Sequence, residues 1–166
     1  MHALLADLEA LLRLEMEQYR RLLSLVRLER GHIVKGELAG LGEVVRKKEA
    51  VARKLHEMEV SRAALLDRLA EELHEPPTAL SLARVAQLAP GEAGETLSGL
   101  LSEFRILVSR LVAANDVNRD LLERSLEFVQ GSLALFRTVI APNPTYGANG
   151  RLETAGTALA ALNQTA

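Results

Sequence analysis

One long apolar stripe near the C-terminal end limits what this chain can fold into. It runs Leu97, Leu101, Phe104, Val108, Leu111, Asn115, Asn118, Leu122, Leu126, Val129, Leu133, Phe136 and Ile140. The steps are threes and fours throughout, so these positions share one side of a continuous helix. The only polar members are Asn115 and Asn118. A helix of this length has no way to cover its own face. It buries the stripe against other helices of the chain or against another polypeptide.

Two further helices precede it. Leu5, Leu8, Leu12, Met16, Tyr19, Leu23 and Val26 give a helix over about residues 2–34, which Lys35 and a C′ glycine at Gly36 bring to an end. Leu41, Val45, Lys48, Val51, Leu55, Met58, Arg62, Leu65, Leu69 and Leu73 give a second over about 37–74, stopped by Pro76 and Pro77. The link at Gly36 is so short that the first two helices are expected to be antiparallel neighbours. Residues 79–88 suit one short helix with Thr78 as its cap. Pro90, Gly91 and Gly94 break the chain again before the long helix, 94–140. Pro142 and Pro144 close that helix. The fold class expected is all-α: an elongated, coiled-coil-like antiparallel bundle of three long helices over 1–141, with a short extra helix. Residues 142–166, rich in Asn, Thr, Ala and Gly, are expected to form a flexible C-terminal tail. Within that tail, Thr157–Leu162 has the spacing of a short amphipathic turn.

Composition agrees with a thin leucine seam. The 166 residues include no Trp, three Phe and two Tyr, a balance that favours long helices over sheets. The formal net charge is −2, which argues against nucleic acid as a partner. The basic run Arg46, Lys47, Lys48, Arg53, Lys54 is interleaved with Glu43, Glu49 and Glu57, so it reads as a solvated helix face with i,i+4 pairs. Cysteine is absent, which removes disulfides and thiolate metal sites. No apolar run approaches the roughly 20 residues that span a bilayer. The leucines of the first fifteen residues alternate with Asp7, Glu9 and Glu15, which is not the pattern of a signal peptide. A cytoplasmic protein is expected.

Register carries the reading further. If the long helix starts beside the end of the second and runs back along it, Leu97 lies level with Leu73 and Leu133 with Glu37. The helix beyond Leu133 then overhangs by about 10 Å, exposing Leu135, Phe136, Val139 and Ile140. Such a surface binds a partner or a second copy. In the same register Asn115 and Asn118 fall opposite Leu55 and Ala52, near Met16 and Tyr19. Buried asparagines in a helical seam fix alignment, and the Tyr19 hydroxyl is the expected hydrogen-bond partner. The competing role for the pair is a polar contact with a ligand or partner.

Catalytic patterns are missing. Of the two Glu-x-x-His pairs, Glu29–His32 lies beside the start of the second helix and Glu71–His74 at its end, nearly 60 Å apart on about 1.5 Å per residue. They therefore share no metal site. There is no phosphate loop, no HExxH and no nucleophile elbow. No enzyme, cofactor or metal is expected.

The residues do resemble a known family. The relevant run is Leu11-Leu12, Glu15, Tyr19 and Leu22-Leu23, then Gly36-Glu37-Leu38, Lys48-Glu49 and Met58-Glu59. Later come Asn115, Asn118, Leu121-Leu122, Ser125-Leu126 and the closing Pro144-Thr145-Tyr146-Gly147 with Gly150. Across about residues 4–150 this is similar to the FlgN-type bacterial flagellar export chaperones. The resemblance implies a small helical cytoplasmic protein that binds hook-associated (hook–filament junction) proteins, prevents their premature assembly and delivers them to the flagellar type III export apparatus without a cofactor. The amphipathic terminal helices of junction proteins fit the groove of an incomplete bundle. Leu126, Val129, Leu133, Phe136, Val139 and Ile140 are the expected anchors. Tyr146, Leu152, Leu159 and Leu162 of the tail are expected to order on the partner. A homodimer is the expected partner-free form. The alternatives are an adaptor coiled coil that self-associates through the last helix, and a helical-bundle enzyme or metal carrier.

Overall fold

A computed structural model describes residues 1–76, 78, 80–140, 145–146 and 152–153, with side chains as far as Arg137. Among the described residues four α-helices are formed: α1 His2–Lys35, α2 Leu38–Leu73, α3 Leu82–Leu88 and α4 Glu92–Ile140. Two-residue strands, Thr145–Tyr146 and Leu152–Glu153, pair antiparallel, with Tyr146 opposite Leu152. That pairing was not foreshadowed by the sequence, and the rest of 141–166 lies outside the described residues. The residues form two compact units, Met1–Leu122 and Glu123–Ala166, and α4 passes from one into the other.

Local chemistry sets the helix ends. Gly36 adopts the left-handed conformation (φ 69°), and backbone N–H groups there return to the carbonyls of His32 and Ile33. A side chain at Gly40 would collide with the His32 ring, at 2.5 Å from a built Cβ. That close approach, and the 2.7 Å contact of His32 Nδ1 with Glu37 Oε2, shape the turn into α2. Helix α3 starts later than the apolar pattern suggests. Ser81, not Thr78, caps it by accepting the Arg84 N–H at 3.2 Å. Helix α4 starts earlier, at Glu92. Gly94 does not break it but sits in its first turn, where a Cβ would meet the Ala89 and Ala86 carbonyl oxygens at 2.7 and 2.8 Å.

The core of the first unit has two parts. At one end Leu4, Leu5, Leu8 and Leu12 of α1 meet Leu69 and Ala70 of α2, Val85 and Ala86 of α3, and Leu97 and Leu101 of α4. The short α3 thus plugs the end where α1 begins. Further along, Met16, Leu23 and Val26 of α1 close on Leu100, Leu107 and Leu111 of α4, with Tyr19 set edge-on to Phe104 at 5.0 Å between ring centroids. On α2 the seam takes Val44, which is buried, while Val45 of the expected stripe faces outward. Val44 lies three residues after Leu41 and four before Lys48, Val45 four after and three before, so both fit the helical spacing and the packing, not the period, selects Val44.

Candidate functional site

Polar ties hold the first unit in register. Lys48 and Arg62 occupy apolar-spaced positions on α2, and each points inward to a buried glutamate of α1. Lys48 Nζ donates to Glu29 Oε2 at 2.8 Å, and Arg62 Nη1 donates to Glu15 Oε2. The Met1 amino group meets Glu72 in the same ladder, whose rungs climb α2 as they descend α1. Asn118 of α4 joins the lower tie. Its Nδ2 donates to the Val26 carbonyl at 2.8 Å and to Glu29 Oε2 at 3.0 Å. One carboxylate therefore links three helices.

The structure separates the three residues expected to act together as register markers. Asn118 is buried. Asn115 is exposed, because the seam passes through Leu111, Ala114 and Asn118 instead. Tyr19 packs on Phe104, about two turns of α1 away from the level of Asn118. The glutamates were missed, yet a signal was present. Glu15 and Glu29 are fourteen residues apart, as are Lys48 and Arg62, and fourteen residues is two heptads. Burial raises the Glu15 carboxyl above its ordinary value, and this outweighs the Arg62 guanidinium, which pulls it down. Its Oε1 is buried without a partner among the described residues. Burial, with the nearby Glu15 charge, also raises the Tyr19 hydroxyl.

No group of three or more His, Asp or Glu among the described residues is placed to hold a metal ion. His32 engages Glu37, and His74 is the left-handed cap of α2. Of the basic run on α2, Lys47 pairs with Glu43 at 2.6 Å, and that bond lowers the Glu43 carboxyl. No described helix is long and apolar enough to cross a membrane.

The surface that stands out chemically is the last part of α4. Leu126, Val129, Leu133 and Phe136 are all more than half exposed, Phe136 at 62%. Along the expected stripe, apolar exposure starts at Leu122, earlier than the expected overhang past Leu133. Val139 and Ile140 lie in α4, but their side chains fall outside the described ones; only the backbone of Tyr146 and Leu152 is described, and Leu159 and Leu162 are not. Sequence reading passed over Phe128, the most exposed of the large residues here at 76%. It falls outside the main stripe, and the clue to it was Leu135, one heptad further on.

Neither curated proteins nor solved structures give a match to this chain. The family model described as "FlgN protein" matches residues 1–154, nearly the whole length. The chain belongs to the FlgN protein family.

Proposed function

We propose that this protein is a cytoplasmic export chaperone of the bacterial flagellum. It binds hook-associated junction proteins, keeps them from assembling early and hands them to the type III export apparatus. In this reading residues 1–141 form an antiparallel bundle of three long helices, and the end of α4 is the capture surface. Leu126, Val129, Leu133, Phe136, Val139 and Ile140 anchor the partner. Tyr146, Leu152, Leu159 and Leu162 add contacts once the partner is bound. Partner-free molecules pair through the same surface.

One observation carries the reading: the exposed large apolar residues from Leu126 to Phe136, in a chain whose family is FlgN. Contiguous apolar surface on a folded protein marks an interaction site. Burying each such side chain contributes about 1.5–3 kcal/mol, so a few anchors suffice for capture.

The test is Phe136→Asp in the full chain. Capture of a junction protein should weaken tenfold or more, on the order of 2 kcal/mol, with helix content unchanged by circular dichroism. A variant that unfolds would place Phe136 in the core and sink the reading. The adaptor alternative is separated by mass measurement at low micromolar concentration. A dimer that persists in the presence of junction protein supports the adaptor, and one that gives way to a complex supports the chaperone.

A further inference from the structure

The end of α4 is apolar over more of its circumference than one partner helix covers. At about 100° per residue, Leu126, Val129, Leu133 and Phe136 form one row. Phe128 and Leu135, 76% and 66% exposed, form a second row beside it. Ser125 and Ser132 lie between the rows, and the Ser132 hydroxyl donates to the Phe128 carbonyl at 2.8 Å. That serine is thus satisfied within its own helix and acts as a small residue in a shallow valley. Together the rows span about 180° of the helix, against the roughly 100° stripe that suits a single packing face.

The same helix supplies a calibration. Within the first unit, the buried positions of α4 from Leu97 to Asn118 cover about 120° by the same count. There the helix packs on more than one neighbour, since Leu97 and Leu101 share a cluster with residues of α1, α2 and α3. An arc wider still fits two helices lying side by side.

Charge gives the partner's chemistry. Arg124 borders the Phe128 row and Arg137 borders the Leu126 row. Both are exposed, and neither makes an ion pair among the described residues. The acidic Glu127 lies on the polar back of the helix. Resting on the function proposed above, we infer that one junction-protein molecule supplies two amphipathic helices to α4, one per row, with acidic residues along their outer edges facing Arg124 and Arg137.

Phe128→Asp and Leu133→Asp in the full chain test this against a purified junction protein. Isothermal titration gives affinity, and hydrogen exchange on the partner shows which segments are shielded. The wild-type complex should protect two separate partner segments. Each variant should weaken binding at least tenfold and release a different one of them, with the melting temperature of the free chain unchanged. Arg124→Glu should weaken binding more at low salt than at high salt. A single protected segment, or full affinity in Phe128→Asp, overturns the two-helix inference while leaving the chaperone reading intact. Conversion of a dimer to monomer by Phe128→Asp with capture unaffected also overturns it, since a second copy would then cover that row. No capture by the wild-type chain removes the underlying function, and this inference with it.

Discussion

Helix α4 carries the same alternation of three- and four-residue steps from Leu97 to Asn118 and again from Leu122 to Phe136, yet the two stretches live in different surroundings. Leu97 is 2% exposed and Leu111 7%; Leu126 is 58% exposed and Phe136 62%. Periodicity says that a helix has an apolar face. It does not say what lies over that face, because the covering atoms come from elements far away in sequence or from another molecule. The closed stretch also contains the polar contact at Asn118, whereas the open one has serines in its valley. A seam that must choose among internal registers gains from buried polar ties. A surface that awaits a partner keeps its polar groups satisfied locally.

The largest effect should come from truncating the closed stretch. Leu97→Ala removes a side chain packed among three other helices and should lower stability by about 3.5 kcal/mol, near the middle of the range for buried leucines. Leu133→Ala, on the open stretch, should change it by less than about 0.5 kcal/mol. Urea denaturation of both variants measures the contrast. Equal losses would mean that the two stretches are covered alike, and the comparison would collapse.

The next effect sharpens the role of the polar ties. Glu29 is 6% exposed and shared between Lys48 and Asn118. Lys48→Ala leaves that carboxylate buried with only an amide, a loss of about 2 kcal/mol, below the full penalty of a buried pair because Lys48 reaches solvent. Register gives the tie a second purpose. Sliding α2 by one heptad would set Glu15 against Leu55 or Leu69, and Glu29 against Leu41 or Leu55. Two carboxylates would then be buried against leucine, so the native alignment excludes its neighbours. Adding Glu29→Gln to the lysine variant should recover part of the loss in the same denaturation series. No recovery would show that the damage is packing, not an orphaned charge.

Much of this is legible in the sequence. The three long helices follow from spacing, the Gly36 cap from its place after Lys35, and the stop of α2 from its prolines. Lys48 and Arg62 were recognisable as members of a seam because they sit at apolar spacing. Their partners were harder to see. Glu15 and Glu29 resemble the many surface glutamates of a charged helix, and only pairing across two helices distinguishes them. Asn115 illustrates the opposite error. It has the right step for the stripe, but the seam at this level runs through Leu107, Leu111, Ala114 and Asn118 and leaves it exposed. The exposed end of α4 was anticipated through a register argument, and Phe128 was lost because a single stripe was sought where two rows exist. The choice of Ser81 over Thr78 as a cap turns on a few tenths of a kcal/mol between similar hydroxyls, which no spacing rule resolves.

The smallest effect asks whether the closed seam and the open arc are independent. Glu15 is held above the ordinary carboxylate value by burial. A carboxyl that keeps its proton more tightly in the fold than in the unfolded chain adds stability while protonated, at pH below its unfolded value. That contribution is lost as pH rises through the raised folded value. Glu15→Gln keeps an oxygen for Arg62 to bond and removes the titration. Stability of the variant, followed by denaturation from pH 4 to pH 8, should therefore fall less with rising pH than that of the wild type, and the gap should grow toward neutrality. Capture of a junction protein by the variant should match the wild type at every pH, because Glu15 lies in the closed seam. Parallel pH profiles for variant and wild type would show that Arg62 offsets burial at this carboxyl, and a wild type that gains on the variant as pH rises would show that Arg62 governs it. A capture profile that shifts with the stability profile would tie the seam to the arc, and the two stretches of α4 would have to be treated as one coupled element.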